Sequence, residues 1–238
     1  MIDTVNQIQN ELRLVADQKR AEASNWYFKP EPGVVDIFLG VTVPNQRLIA
    51  KKYFKNISYT DVQKLLHSDI HEERLTALII WVLQYKKADE KNKSAIFDLY
   101  INNTKWINNW DLVDTSARDI VGEHLFNKDR ILLTELSRSS DIWERRIAII
   151  ATSYFIQYND FDWTLKLAEH YLSDTHHYIH KAAGWMLREV GKRDEKVLKE
   201  FLDAHAPHMP RTMLRYAIEK FDKPTRQKYL AIKQTAVQ

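Results

Sequence analysis

Ser140-Asp141-Ile142-Trp143-Glu144-Arg145-Arg146-Ile147-Ala148-Ile149-Ile150-Ala151-Thr152-Ser153-Tyr154-Phe155-Ile156-Gln157-Tyr158 carries the cleanest periodicity in the chain. Ile147, Ile150, Ala151, Tyr154, Phe155 and Tyr158 recur at helical spacing, and Ser140 and Asp141 in front of them are residues suited to cap a helix N-terminus. The same pattern returns on both sides. Leu75, Leu78, Ile79 and Val82 form one stripe; Val113, Ala117, Ile120 and Val121 a second; Ala183, Met186, Leu187 and Val190 a third. One small or branched anchor from each helix gives Ala77, Val113, Ala148, Ala183 and Ala217, separated by 36, 35, 35 and 34 residues. Shorter helical segments lie between the anchors, at Lys93 to Ile101, Asp129 to Ser137, Trp163 to Leu172 and Glu195 to His205. Each unit is therefore a helix pair, too small to hide its apolar stripe alone, and stacked pairs are expected to bury it together and leave one helix of each pair lining a concave surface.

Working outward, 238 residues suffice for one substantial core, and one elongated repeat domain is expected: a helical cap over 1–43, stacked helix pairs over 44–222 and a tail over 223–238. All six prolines lie at or before Pro44 or from Pro207 onward, and only five glycines occur, so the centre of the chain is free of helix breakers. The first forty residues do not follow the repeat; they hold an amphipathic segment near Val5 to Val15, another ending at Tyr27, and a Pro30-Glu31-Pro32-Gly33 turn. Lys223 to Gln238 is polar and basic and reads as a short closing helix followed by a frayed tail. Met1 to Asn10 is too polar for a secretory apolar core, and no stretch approaches roughly 18 consecutive apolar residues, so a soluble cytoplasmic protein without membrane contact is expected.

There is no cysteine, which removes disulfides, thiolate nucleophiles and cysteine-ligated metals from consideration. The net charge of +3 is unevenly spread. Met1 to Asp174 holds 22 Lys or Arg against 25 Asp or Glu, whereas Thr175 to Gln238 holds 13 against 7. A basic C-terminal third points to a polyanionic partner, nucleic acid first, with a solvated basic face as the bland alternative.

The chemistry-bearing residues are few. In Asn109-Trp110-Asp111-Leu112-Val113-Asp114, an indole and a carboxylate lie one helical turn apart behind a capping asparagine, Asn108 or Asn109. Trp110 falls at the border of its stripe and suits core and site equally; Asp111, in the first turn, reads as a complement to the helix dipole. A glycosidase-like pairing of Asp111 with Asp114 lacks any other mark of a sugar-polymer cleft. Trp185 points roughly 150° from its stripe centre, which favours a groove-facing indole over packing on a neighbouring loop. Arg146 lies roughly 110° from its own stripe, where an arginine is ordinarily solvated. His176, His177 and His180 could sit one turn apart, yet no HExxH pattern or flanking carboxylate completes a zinc site. Glycine-rich phosphate loops, GxSxG elbows and Cys-His pairs are absent, so nucleotide hydrolysis and acyl transfer lack their usual parts. The nine histidines read mostly as surface or capping residues.

Taken jointly, Tyr27-Phe28-Lys29, Phe38-Leu39-Gly40-Val41 with Pro44 and Arg47, Trp110-Asp111 with Val113-Asp114, Ile142-Trp143 with Arg146, and Lys181-Ala182-Ala183-Gly184-Trp185 with Leu187-Arg188-Glu189 resemble the DNA alkylation repair glycosylases of HEAT-like repeats, the AlkD type. The resemblance spans nearly the whole chain. It implies an all-α fold, a right-handed solenoid of HEAT-like helix pairs with a concave DNA-binding groove. It further implies that Asp114 is the catalytic carboxylate, that Trp110 and Trp185 contact the deoxyribose of the damaged nucleotide, that Arg146 holds backbone phosphate near it, and that Tyr27 borders the same site. Arg188 would contact phosphate, and Lys181, Arg47 and Thr42 would contribute to DNA contact. The Pro30 to Gly33 turn departs from the family pattern after Tyr27. The implied activity is removal of cationic N3- and N7-alkylated purines, such as 3-methyladenine and 7-methylguanine, from double-stranded DNA, leaving an abasic site. It needs no metal or organic cofactor, no pocket insertion of a flipped base and, most simply, only a monomer. A DNA-binding repeat protein without catalysis and a protein-binding scaffold are the alternatives.

Overall fold

The computed structural model describes residues 3–28 and 36–233. Among them there is no strand, only an isolated parallel bridge between Ile37 and Ile70, and no helix is long and apolar enough to cross a membrane. The Pro30 to Gly33 turn, Lys29 and the last five residues of the expected tail lie outside the described residues. Chain contacts gather into two units, Met1–Ile120 and Val121–Gln238.

The first unit holds α1 (Thr4–Leu14), α2 (Gln18–Phe28), α3 (Val43–Tyr53), α4 (Tyr59–Leu66), α5 (His71–Tyr85), α6 (Glu90–Ile101) and α7 (Trp110–Ala117). The amphipathic segment expected near Val5 to Val15 is α1, which buries Val5, Ile8 and Leu12, one residue from each turn. At the centre of the unit is α5, against which α1, α3, α4, α6 and α7 all pack. Every residue of α5 except Leu83 is buried, as an all-round apolar sequence from Leu75 to Val82 requires. Its first turn is not apolar, however: His71, Glu72, Glu73 and Arg74 are buried as well.

Glu73 is met from α1, by Gln9 at 2.9 Å and Arg13 at 3.2 Å, and the segment that precedes α3 engages the others. The Glu72 carboxylate accepts hydrogen bonds from the backbone N–H groups of Leu39 (2.9 Å), Gly40 (2.8 Å) and Val41 (3.2 Å). Gly40 has φ +78°, and a Cβ there would stand 2.1 Å from the Asp17 carbonyl oxygen, so only glycine lets this segment close against α2. Ile37 then forms the bridge by bonding to both neighbours of Ile70, its N–H donating to the Asp69 carbonyl and its carbonyl accepting from the His71 N–H. Thr42 ends the segment as the N-cap of α3, its hydroxyl accepting from the N–H of Asn45.

A single π-helical turn, Arg118–Gly122, follows α7. The second unit contains α8 (Glu123–Leu125), α9 (Ile131–Ser137), α10 (Ile142–Ala151), α11 (Ser153–Ile156), α12 (Asp162–His170), α13 (His177–Arg193), α14 (Glu195–His205), α15 (Arg211–Ala217) and α16 (Lys223–Leu230). Here α13 is the central helix, contacted by α10, α11, α12, α14 and α15. Gly184 permits its close approach to α15: a Cβ there would lie 2.4 Å from the Met213 carbonyl oxygen and 2.7 Å from the Tyr216 Cβ. Gly122 stands in the same relation to the Ala151 carbonyl and to Tyr154, so two helix contacts in this unit use one device.

All five anchors, Ala77, Val113, Ala148, Ala183 and Ala217, are buried, and they fall on α5, α7, α10, α13 and α15. The intervening segments are present as α6, α9, α12 and α14. Asp141 caps α10 as its position suggests, with its carboxylate accepting from the Trp143 N–H at 2.8 Å. The stripe that runs from Ile147 to Tyr158 is not one helix. α10 ends at Ala151, where the Thr152 hydroxyl turns back to the Ile149 carbonyl at 2.7 Å, and α11 carries Tyr154 and Phe155.

Candidate functional site

In the first unit, Asn109 opens α7 in an extended conformation and its side-chain oxygen accepts from the Trp110 N–H at 2.8 Å. This cap fixes where the next three side chains point. The Trp110 indole is half-buried, stacked on Phe28 (centroids 5.6 Å apart, planes 14°) and met edge-on by Tyr27 at 6.2 Å. Asp111 is turned toward α5 and accepts from or shares a proton with His71 Nε2 at 2.8 Å. Asp114, one turn further on and half-buried, lines a cleft of ≈ 480 Å³ with Trp110, Arg47 and Lys86, over a floor that includes Leu75, Ile79 and Val82.

Behind the cleft lies a buried relay of charges. His71 Nδ1 meets Asp36 at 3.0 Å, and Asp36 in turn accepts from Arg74 at 2.8 Å, whose guanidinium also donates to the Ser68 carbonyl at 2.9 Å. Burial alone would discharge the His71 ring, but hydrogen bonds and charge from Asp111 and Asp36 outweigh it and lift the imidazole from 6.5 to about 9. Burial also opposes the Asp36 charge, and is outweighed by His71 and Arg74, which hold its carboxyl below the usual range. At neutral pH an imidazolium is thus clamped between two carboxylates, and Asp111, which lines the cleft beside Asp114, has one oxygen committed to it. Asp111 does stand in the first turn of α7, where its charge complements the helix dipole, and the His71 bond gives it a second structural partner.

Arg47, exposed on α3, reaches the same cleft as Asp114, while Thr42, the α3 cap, shares a neighbouring cavity with Tyr27. Five of the residues singled out in the sequence, Tyr27, Thr42, Arg47, Trp110 and Asp114, are thereby gathered around α2, α3 and α7 of one unit.

In the second unit, Lys181, Trp185 and Arg188 recur at spacings of four and three residues along α13 and so occupy one of its faces, all half-buried. Trp185 Nε1 donates to Glu189 at 3.1 Å, Lys181 Nζ lies 5.9 Å from the centroid of the Tyr178 ring, and Arg188 pairs with Glu219 and with Glu189. Arg146 departs from the expectation of a solvated side chain: it is 5% exposed, and its guanidinium donates to the Tyr178 carbonyl at 2.7 Å. The single-stripe count assumed one covered face, whereas α10 is enclosed by α9, α11, α12 and α13. Arg146 ties α10 to the first turn of α13.

His71 is the site residue that reading by stripes missed, and it is the buried exception among histidines that otherwise lie at or near the surface. Its signal was present as four consecutive polar residues, His71-Glu72-Glu73-Arg74, opening a helix that is otherwise a buried apolar run. Among the described residues, no group of three or more His, Asp or Glu is placed to hold a metal ion. His176 instead receives the Tyr178 N–H on Nδ1, and His180 Nε2 lies 2.5 Å from the Asp174 carbonyl oxygen.

Helix pairs repeating every 34 to 36 residues define a helical-repeat protein. The chain belongs to the family of DNA alkylation repair enzymes, whose sequence model matches residues 8–221. Among solved structures it is similar to one described as a predicted DNA alkylation repair enzyme from Enterococcus faecalis, at 17% identity and TM-score 0.66 over 87% of this chain and 97% of that one. It is also similar to AlkD2 from Streptococcus mutans, at 16% identity and TM-score 0.57 over 87% of this chain and 99% of the other. At such identities the likeness concerns the fold. No curated protein sequence matches the chain.

Proposed function

We propose that this DNA alkylation repair protein is a monofunctional DNA glycosylase that hydrolyses the N-glycosidic bond of cationic N3- and N7-alkylated purines in duplex DNA. The observation that carries the reading is the placement of Asp114 and Trp110 in one cleft with an apolar floor and Arg47 at its edge. A purine alkylated at N3 or N7 is already positively charged. As its bond to C1′ breaks, the electron pair leaves with the base, which departs neutral and needs no general acid. Positive charge passes to the deoxyribose. A carboxylate fixed over an apolar floor stabilises that charge without reorganising, and an indole face adds a cation-π attraction of about 0.5 to 2 kcal/mol. Water then adds to C1′ and loses its proton to Asp114 or to solvent, giving an abasic sugar and an intact strand.

The His71 clamp supports this division of labour. Asp111 and Asp114 both line the cleft, and because Asp111 is engaged by an imidazolium, Asp114 is the one of the two assigned to the sugar. Arg47 in the first unit, and Lys181 and Arg188 in the second, supply cations for phosphate, with Arg146 as a buried support for α13. Selectivity would rest on the lability of the bond, so neutral lesions should be poor substrates.

The test is base release from methylated duplex. The parent protein should liberate 3-methyladenine and 7-methylguanine, and Asp114→Asn should slow this by about 100- to 1,000-fold at unchanged melting temperature. Equal rates for both proteins would remove Asp114 from the mechanism. Duplex binding without release of any cationic base would leave a non-catalytic DNA-binding repeat protein as the reading.

A further inference from the structure

The Asp114 cleft holds a charged pair that the sugar chemistry does not use. Lys86, the C-cap of α5, extends Nζ to Asp119 Oδ2 at 2.6 Å, and both residues line the cleft with Trp110, Asp114 and Arg47. Asp119 comes five residues after Asp114, a step that in a continuous α-helix turns a side chain about 140° away. It nevertheless lines the same cleft, from within the π turn Arg118–Gly122 that interrupts the helix after Ala117. Such local widenings of a helix recur at functional sites.

The two oxygens of Asp119 serve different cations. Oδ2 takes Lys86, and Oδ1 accepts from the Arg118 guanidinium at 2.6 Å. The Asp119 side chain is 16% exposed and that of Lys86 48%, so the carboxylate is covered and doubly engaged while the ammonium it fastens stays open. An ammonium carries three N–H donors, and Asp119 occupies one of them. Charge points the same way. Of the carboxylates in the cleft wall, Asp111 is held by His71 and Asp119 by Arg118, cations that stand outside the lining. Within the lining, Arg47 and Lys86 are then set against Asp114, which leaves the wall attractive to an anion beside the carboxylate assigned to the sugar. An ion pair as open as this contributes little to folding, whereas a lysine fixed in place with donors to spare is a point-charge ligand for phosphate.

We propose that Lys86 is a phosphate-binding residue of this cleft, and that it holds the phosphodiester next to the deoxyribose at Asp114, with Asp119 fixing the ammonium in position. A sugar brought to Asp114 carries a phosphodiester on each side, so the anion arrives with the substrate. The position of that phosphate beside the reacting sugar rests on the glycosylase reading; the binding of duplex phosphate by Lys86 does not.

Duplex affinity is measured first, on unmodified DNA at several salt concentrations, for the parent, Lys86→Met and Lys86→Arg, with melting curves to establish that each folds. Lys86→Met should weaken binding about tenfold and lower the slope of log affinity against log salt by about 1, and Lys86→Arg should keep the parental slope. If Lys86→Met does not fold, Lys86→Gln takes its place. An unchanged slope in the neutral variant would overturn the phosphate assignment and leave the ion pair as a tie between α5 and the π turn. Single-turnover release from saturating methylated duplex then locates the phosphate. Release slowed about tenfold or more in Lys86→Met, even when all the DNA is bound, is expected of a contact that orients the reacting sugar. Weakened binding with release at the parent rate would overturn the placement beside that sugar. A parent protein that releases no base would end the glycosylase reading and the placement with it, while the salt slopes would still decide whether Lys86 binds phosphate.

Discussion

α5 and α13 are the central helices of their units and occupy equivalent places in the same repeat, yet they use charge in opposite ways. In α5 the ionisable residues His71, Glu72, Glu73 and Arg74 are interior and engaged at fixed distances by Asp36, Asp111, the backbone before α3 and, for Glu73, Gln9 and Arg13 of α1. In α13 the residues Lys181, Arg188 and Glu189 lie along a half-open face, and Trp185 stands among them. Buried charges gain little net stability but are costly to orphan; open ones contribute little to folding and remain available to a ligand. On the proposed function, one helix would shape the wall of the cleft and the other would offer cations to a polyanion.

The strongest way to break this contrast is to remove Asp36. Its carboxylate, 2% exposed, is the shared partner of His71 and Arg74, so Asp36→Ala leaves buried Arg74 without its carboxylate and His71 with Asp111 alone. A loss of about 3 to 5 kcal/mol in unfolding free energy is expected from denaturant titration. The counterpart in α13, Arg188→Ala, should leave the denaturation midpoint nearly unmoved. Similar losses for both would show that the two helices do not differ in the way their burial indicates.

A second, smaller effect sharpens the comparison through pH. His71 is raised to about 9 in the folded chain, against 6.5 in the unfolded one, so the folded state holds its proton more tightly. Its contribution is complete below about pH 6.5 and is lost as pH rises through about 9, amounting to roughly 3 kcal/mol at most. Melting temperature should accordingly fall across that window in the parent and fall less in His71→Asn.

The contrast also explains what could be read from the chain beforehand. Ala77, Val113, Ala148, Ala183 and Ala217 were legible because a helix pair must bury its stripe at a constant interval, and α1 and the Asp141 and Asn109 caps follow from local chemistry. The Asp36–His71–Asp111 relay was not, because its partners are 35 and 40 residues apart and no periodicity links them. Arg146 was misplaced for a related reason: an angle from a stripe describes one neighbour, and α10 has four. Trp110, ambiguous on its helix, became interpretable only once Phe28 and Tyr27 of α2 were seen against it. Local rules thus reach the repeat and its caps, while the electrostatics of the cleft depend on a loop folded back on α5.

The smallest expected effect concerns the open face itself and carries a sign. Arg188 is paired with Glu219 and lies near Glu189, so phosphate must compete with carboxylates for its guanidinium. Removing the cation and removing its competitor should therefore act in opposite directions. Arg188→Ala should weaken duplex binding for every sequence and lower the slope of log affinity against log salt by about 1. Glu219→Gln, which removes one of the two carboxylates beside the arginine, should tighten binding several-fold and leave base release from bound duplex at the parent rate, since Glu219 is not among the residues lining the Asp114 cleft. Filter-binding titrations at several salt concentrations separate the two. Affinity moving in the same direction for both variants would mean that Arg188 serves the α13–α15 contact rather than phosphate, and the open face of α13 would lose its claim to be the counterpart of the buried one on α5.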